Sequence, residues 1–116
     1  MKQQLLTKAI RAKLPRLYAQ DGKGMEAVAY VKFFYAYGSG EWFATEFDGL
    51  DTFFGWVQHL AGNPGGELGY FSLLELEAVP AKFNGKVIPG VQGIERDIHF
   101  QPGRLCDIGE VVKEAV

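Results

Sequence analysis

The pattern of apolar and polar positions divides the chain into short segments of two kinds. At the N-terminus, Leu6, Ile10 and Leu14 recur at four-residue spacing, which puts them on one face of a helix. Thr7 is placed to cap this helix, because its hydroxyl can accept a hydrogen bond from a first-turn N–H group. Pro15 disfavours helical geometry at Leu14, so the helix is predicted to be short and to end there.

The middle of the chain has the residue types of β-strands. Four segments rich in β-branched and aromatic residues are separated by turn signals such as GSG and Asp48-Gly49. They are EAVAYVKFFY (26–35), EWFATEFD (41–48), TFFGWVQHL (52–60) and ELGYF (67–71), with AGNPGG as a loop before the last. The first has apolar side chains on both faces, as a central strand does. Neighbouring strands with short connections favour an antiparallel meander.

The region after the meander is predicted to contain a second helix and a hairpin. Ser72 with Glu75 three residues later is a capping box that opens a short helix, and Pro80 ends it. Asn84-Gly85 lies between two short extended pieces, which predicts a two-residue hairpin turn. Residues 84–93 are therefore expected to form a variable loop or a small hairpin.

The C-terminal part is predicted to add one strand and one helix. The segment IERDIHF (94–100) alternates apolar and polar positions, and Pro102 permits a final helix over 104–116. A chain of 116 residues fits one domain, here 1–116. The expected fold class is α+β: an antiparallel β-meander of about four to five strands, flanked by short helices near the N- and C-termini.

Composition is that of a folded globular protein, since hydrophobic residues make up 47% and charged residues 22% of the chain. The single cysteine, Cys106, excludes an internal disulfide framework and indicates a reducing, cytoplasmic setting. The N-terminal segment is charged and amphipathic rather than a signal peptide. The longest apolar runs are shorter than a membrane span, so no membrane association is expected.

Charge is unevenly distributed along the chain. Residues 1–32 carry seven Lys or Arg against two acids, whereas residues 33–81 carry seven acids and no Lys or Arg. One interpretation is that these parts face each other within one domain. Another is that the basic N-terminal helix contacts nucleic acid, through Lys8, Arg11, Lys13 and Arg16. Nucleic-acid binding is not expected, because the net charge of the whole chain is −2.

The segment TEFDGLDTFFGWV (45–57) is the most suggestive in the chain. Glu46 and Asp48 share a face of the predicted strand, and Asp51 joins them across the turn, as a metal site or an acid–base pair would require. The alternative assigns Asp48 and Asp51 to the turn, where their oxygens would bond nearby backbone N–H groups. The turn does not explain Glu46, which is the better functional candidate.

Aromatic side chains are concentrated in the predicted sheet. Twelve of them fall there, more than one small core face needs, so some are expected to be exposed for binding. The acidic surroundings suit a protein partner better than a phosphate backbone. The expected partner-binding surface comprises Trp42, Glu46, Asp48, Asp51 and Trp56.

The segment IERDIHF offers a second, different candidate site. On a strand, Glu95, Asp97 and His99 share one face, where they could hold a divalent metal. Same-face side chains are about 7 Å apart along a strand, so they would converge only with a ligand from elsewhere. A solvated polar strand face is the alternative. No cofactor is expected, and Cys106 is interpreted as a small buried hydrophobe rather than a nucleophile.

Four blocks of the sequence carry a resemblance to a known family. LLTKAIRAKLP, TEFDGLDTFFGWV, ELGYFSLLELEAV and IERDIHF, from about Leu5 to about Leu105, resemble the uncharacterised bacterial family catalogued as domain of unknown function 2958. The resemblance implies a short cytoplasmic protein of a plasmid, phage or integrative element, with no established activity and no catalytic residues to transfer.

Two functional hypotheses follow from these features. The first is a non-catalytic protein-binding module of a mobile element, as an inhibitor or regulator of a host defence or DNA-metabolism protein. The alternative is a metal-assisted hydrolase or nuclease accessory using Glu95, Asp97 and His99, in which a metal-bound water would act as nucleophile.

Overall fold

Nine strands and three short α-helices are found in residues 3–115, the part of the chain that the computed structural model describes. The helices are α1 (Lys8–Lys13), α2 (Leu73–Ala78) and α3 (Gly109–Ala115). The strands are β1 (Val28–Ala29), β2 (Val31–Tyr35), β3 (Glu41–Phe47), β4 (Thr52–Leu60), β5 (Asn63–Ser72), β6 (Pro80–Phe83), β7 (Lys86–Gln92), β8 (Ile94–Arg96) and β9 (Gly103–Arg104). Single 3₁₀ turns occupy Gly24–Glu26 and Leu105–Asp107.

A five-stranded antiparallel sheet forms the centre of the molecule, with strand order β5-β4-β3-β2-β8. Four of its strands are consecutive in the chain and form the predicted meander, and β8 pairs with the far side of β2. Two small ladders, β1–β9 and β6–β7, lie outside it. The predicted α+β class is therefore confirmed. Within residues 3–115, no helix is long and apolar enough to cross a membrane.

Both faces of the central sheet are covered by other parts of the chain. One face packs against the segment around α1 and against α2, forming a first core that includes Leu5, Leu14, Phe33, Phe53 and Leu76. The other face packs against the C-terminal segment, forming a second core of Ala29, Phe43, Trp56, Leu105 and Val111. Most of the aromatic residues of the sheet are therefore used inside the molecule.

The local signals at helix ends and at the small hairpin are confirmed. The Thr7 hydroxyl accepts the Ile10 N–H at 3.2 Å, and the Ser72 hydroxyl accepts the Glu75 N–H at 3.1 Å. The turn between β6 and β7 has left-handed backbone at Asn84 (φ 53°) and at the following Gly85 (φ 76°). Two positive φ values in a row are what a two-residue hairpin turn requires.

A bulge in β3 changes which residues share a face. Ala44 pairs with Gly55, but the next pair along the strands joins Glu46 to Phe54, so Thr45 is an extra residue. Because of it, Glu46 lies on the face opposite Ala44. A Cβ atom at Gly55 would overlap the backbone carbonyl of Phe43, so glycine is required where the bulged strand approaches.

Two predicted strands have the wrong limits. β5 begins at Asn63, four residues earlier than predicted, because β5 is an edge strand and an edge tolerates Pro64. The predicted strand over 94–100 ends at Arg96. It ends there because the chain turns at Asp97, whose side chain accepts the His99 N–H at 2.9 Å.

Two further predictions about regular structure are corrected. The first predicted strand (26–35) is interrupted at Tyr30, since β1 pairs with β9 while β2 pairs within the central sheet. The final helix begins at Gly109 rather than at Arg104, because Gly103–Arg104 is held extended in that small ladder, and its predicted last residue, Val116, lies outside the described residues. Pairing between distant segments overrides the local pattern in both places.

Candidate functional site

The two tryptophans of the expected binding surface lie on opposite faces of the central sheet. Trp56 is 6% exposed in the second core, and its Nε1 donates to Gln58 Oε1 at 2.7 Å. Trp42 is half-buried and packs against the first core. The five residues therefore do not form the single surface that the sequence suggested.

Asp48 belongs to the turn between β3 and β4. Its Oδ1 accepts the N–H groups of Asp51 (2.8 Å), Leu50 (2.8 Å) and Thr52 (3.0 Å). These hydrogen bonds, with that of Asp51 the largest, hold the pKa of Asp48 below its ordinary value. The turn interpretation of Asp48 therefore accounts for its contacts.

Asp51 fixes the start of α2 to the same turn. Its Oδ2 accepts the Ser72 hydroxyl at 2.6 Å, and its Oδ1 accepts the Leu74 N–H at 2.7 Å. Carboxylates are favourable at a helix N-terminus because the backbone N–H groups there lack partners. Asp51 is thus bonded within the fold and has a structural role.

The predicted metal ligands are not brought together. Glu95 lies on β8, but Asp97 and His99 follow the end of that strand, so the shared strand face does not form. Asp97 Oδ2 instead lies 3.9 Å from Lys32 Nζ. In the described part of the chain, no group of three or more His, Cys, Asp or Glu side chains is placed to hold a metal ion.

The basic side chains of the N-terminal segment are exposed, as a solvent-facing helix requires. Lys8, Lys13 and Arg16 are all accessible, whereas Arg11 donates to the Gly49 carbonyl at 2.7 Å. The Arg11 guanidinium also lies over the Phe47 ring, 5.1 Å from its centroid. Arg11 therefore helps to hold α1 on the meander.

Glu46, the residue that the turn did not explain, is buried at 4% exposure. The bulge in β3 directs it away from the first core and towards the loop that follows α1. Its Oε1 accepts the Tyr18 N–H at 2.8 Å, and its Oε2 accepts the Gln20 N–H at 2.7 Å. Hydrogen bonds to an ionised acceptor are stronger than neutral ones. Glu46 therefore fixes the backbone of this loop.

Gln20 completes the attachment of the loop. Its Nε2 donates to the carbonyls of Val28 (2.9 Å) and Thr45 (2.8 Å), and its Oε1 accepts the Val28 N–H at 2.7 Å. Tyr18 has left-handed backbone, with φ 71°. A non-glycine residue there is strained and needs support from its surroundings. Glu46 and Gln20 give that support and hold the Tyr18 side chain at the surface.

A cleft of about 340 Å³ opens between this loop and the sheet. Glu46, Thr45 and Phe54 come from β3 and β4, Leu68 and Tyr70 from β5, and the remainder is lined by Tyr18, Gln20, Asp21, Gly22, Gly24 and Ala27. We call it the Tyr18–Tyr70 cleft. The two tyrosines are 68% and 57% exposed, and neither Lys nor Arg lines the cleft.

The electrostatic environment of the cleft is negative. The pKa of Tyr70 is raised above its ordinary value, first by interaction with the Tyr18 side chain and by desolvation, and then by the carboxylates of Glu46 and Asp21. Negative charge nearby disfavours ionisation of a phenol. The cleft thus combines aromatic walls with acidic groups.

The two edges of the central sheet differ. The edge at β8 is closed, because the Gln3 side chain donates to the Arg96 carbonyl at 3.2 Å and accepts its N–H at 2.5 Å, as a neighbouring strand would. β5, which spans ten residues, forms the other edge. Within residues 3–115, no backbone hydrogen bond joins β5 to another element on the side away from β4. Natural sheets usually block such an edge.

A separate polar cluster attaches α3 to the sheet. His59 Nδ1 lies 2.8 Å from Glu41 Oε1, and His59 Nε2 lies 2.8 Å from Glu114 Oε1. The hydrogen bond to Glu114, and then that to Glu41, raise the pKa of His59 against the opposing effect of desolvation. Both ring nitrogens are engaged, so His59 has none available as a base or as a metal ligand.

Of the residues in this cleft, Glu46 was predicted from the sequence, whereas those that surround it were not. Tyr18 precedes the segment QDG (20–22), which contains Asp21 and resembles an ordinary loop, and Leu68 lies on a strand predicted to be short. Tyr18 is an aromatic residue outside every predicted helix and strand, just before a Gly-rich loop, and this position was the one local signal for a functional role. No local signal places Tyr18 opposite Tyr70, because they meet only through the folded sheet.

Fold and site define a class: a small α+β domain with one closed sheet edge, one open edge, and an acidic, aromatic cleft beside the open edge. The chain belongs to the family described as Protein of unknown function (DUF2958), whose model matches residues 5–114. The resemblance carried by the four sequence blocks is thereby confirmed over nearly the whole chain. No curated protein and no solved structure matches the sequence.

Proposed function

We propose that this protein is a non-catalytic binding module that takes up an extended segment of a partner protein along β5. The observation that carries the proposal is the contrast between the sheet edges. β8 is closed by the Gln3 side chain, whereas alternate residues along the ten-residue strand β5 direct unpaired backbone groups away from the sheet. Addition of a strand to an open edge is a common mode of peptide recognition.

The side chains of β5 support recognition in addition to backbone pairing. Leu68 and Tyr70 alternate along the strand and line the cleft, while Glu67 and Phe71 lie on the opposite face. A segment paired with β5 would alternate in the same way, so every second side chain would lie on the cleft side. Main-chain hydrogen bonds would supply affinity, and the cleft would supply specificity.

Other features support the biological setting that we propose. We infer a cytoplasmic accessory protein of a plasmid or phage, whose partner is a host defence or DNA-metabolism protein that it inhibits or regulates. The support is the single cysteine and the family resemblance, which is an argument by association.

The proposal is tested with peptides selected from a display library of random 12-residue sequences. A selected peptide is then made in two N-methylated forms. One form carries methyl groups on the odd-numbered amides, and the other carries them on the even-numbered amides. In strand addition, only one of these two alternate sets of amides forms hydrogen bonds with β5. We expect one form to lose binding by at least tenfold in fluorescence anisotropy, and the other to keep it.

The matched pair of peptides makes the result decisive, because both forms have the same composition and the same number of methyl groups. Equal binding by both would contradict strand addition, as would failure to select any peptide. A dimer in sedimentation analysis whose outward β5 amides are protected from hydrogen exchange would also overturn the proposal, since a second copy would then close the edge.

A further inference from the structure

We propose that the Tyr18–Tyr70 cleft binds a cationic side chain, lysine or arginine, of the segment docked on β5. This inference rests on the proposed function, because it names the chemistry of the docked segment. Three features of the cleft carry it: a buried carboxylate without a cationic partner, two exposed aromatic walls, and a volume suited to one side chain.

The buried carboxylate is that of Glu46, at 4% exposure. Its two oxygens accept one N–H each, from Tyr18 and Gln20. A carboxylate has about four acceptor positions, so two of these remain. None of the ion pairs formed within residues 3–115 includes Glu46. Because buried charges are usually paired, a cation from outside would complete this site.

The aromatic walls are suited to the same ligand. Tyr18 and Tyr70 flank the cleft with most of each side chain exposed, and Asp21 adds a second carboxylate at its rim. The face of an aromatic ring attracts an ammonium or guanidinium group, and the attraction increases when water is excluded. An anion would find no Lys or Arg among the lining residues.

The size of the cleft fits a side chain rather than a larger molecule. Its volume of about 340 Å³ is at the lower end of the range of roughly 300–1,000 Å³ that small-molecule sites occupy. Leu68 and Phe54 provide apolar surface for the methylene stem of lysine or arginine, whose charged head can then reach the polar groups.

The cleft is tested without the docked segment, using N-acetyl-lysine methylamide and its neutral analogue N-acetyl-norleucine methylamide. Each is titrated into the ¹⁵N,¹³C-labelled protein, and the resonances of Tyr18 and Tyr70 are followed by NMR. We expect the lysine compound to shift both tyrosines, and the norleucine compound to bind at least fivefold more weakly, because it lacks the charge. Equal binding of the two compounds would overturn the inference.

Two substitutions provide the matched comparison. Asp21→Asn removes a carboxylate from the rim, and Glu67→Gln removes one from the opposite face of β5, outside the cleft. Neither carboxylate has a hydrogen bond or ion pair within residues 3–115, so both variants should fold. We expect Asp21→Asn to weaken the lysine compound about threefold or more, and Glu67→Gln to leave it unchanged. Equal weakening by both would indicate only general charge attraction and would contradict a site.

Failure of this inference is distinguishable from failure of the proposed function. In one outcome, methylation of only one alternate set of amides abolishes binding of a selected peptide, but replacing every Lys and Arg by norleucine or citrulline changes its affinity less than twofold. The strand addition then stands and the cation site is wrong. If the lysine compound binds the tyrosines while both N-methylated peptides bind equally, the cation site stands and the strand addition is wrong.

Discussion

Replacing Glu46 by glutamine tests whether its carboxylate holds the loop that forms one wall of the cleft. Glutamine has nearly the same shape, but one acceptor oxygen becomes an NH₂ donor. One of the two N–H groups, that of Tyr18 or that of Gln20, then faces another donor. A buried donor left without a partner costs about 1–3 kcal/mol. We expect Glu46→Gln to lower the free energy of unfolding by this amount.

The expected change in melting temperature follows from the size of the domain. One kcal/mol corresponds to roughly 4 °C for a chain of this length, so Tm should fall by about 4–12 °C in a circular dichroism melt. Glu67→Gln makes the same chemical change at an exposed position and serves as the control. We also expect faster hydrogen exchange at the Tyr18 or Gln20 amide. A Glu46→Gln melt indistinguishable from that of the control would refute the assigned role of the carboxylate.

Three further variants test other parts of the structure by thermal denaturation. Gly55→Ala should lower the free energy of unfolding by about 3 kcal/mol or more, because its Cβ would overlap backbone. Gly69→Ala, at the paired position on β5 where there is open space, should lower it by less than about 1 kcal/mol. Similar losses for both variants would contradict the close approach of the bulged strand to Gly55. The pKa of His59 is raised, chiefly by Glu114, so its stabilising contribution is complete below about pH 6.5 and is lost as pH rises through the folded pKa. The difference in Tm between His59→Gln and the unchanged protein should therefore shrink as pH rises above about 6.5 and through the folded pKa. A constant difference from about pH 6 to 9 would disprove the link between His59 protonation and stability. The pKa of Asp48 is lowered, so the Tm deficit of Asp48→Asn should be present near neutral pH and disappear as pH falls below about 3.9 and through the folded pKa. A deficit that does not change with pH would show that the charge of Asp48 does not stabilise the turn.

Features fixed by neighbouring residues were predictable from the sequence. Thr7 and Ser72 cap helices because a hydroxyl reaches an N–H group three residues ahead, within the same turn. Asp48 bonds the backbone two to four residues ahead, and Asn84-Gly85 adopts the φ values of its turn type. In each case the chemistry that determines the structure lies within five residues of chain.

Features that depend on distant pairing were not predictable in the same way. The bulge at Thr45 is fixed by pairing with β4, and without it Glu46 is assigned to the wrong face. The closure of β8 depends on Gln3, which is 93 residues away from Arg96 in the chain. The candidate site itself joins Tyr18 to Tyr70 across the sheet. Such contacts arise from the topology, and no local pattern encodes them.

Hydrogen exchange along β5 tests the open edge most directly. In a strand at an open edge, alternate amides point away from the sheet and lack partners. In the free protein at concentrations that keep it monomeric, we expect these outward amides of β5 to exchange fast, while those bonded to β4 are protected. Addition of a selected peptide should slow the outward amides of β5 by at least tenfold and leave the Arg96 amide, already bonded to Gln3, unchanged. Outward amides that are already protected in the free monomer, or that exchange as fast with the peptide bound, would contradict strand addition at β5.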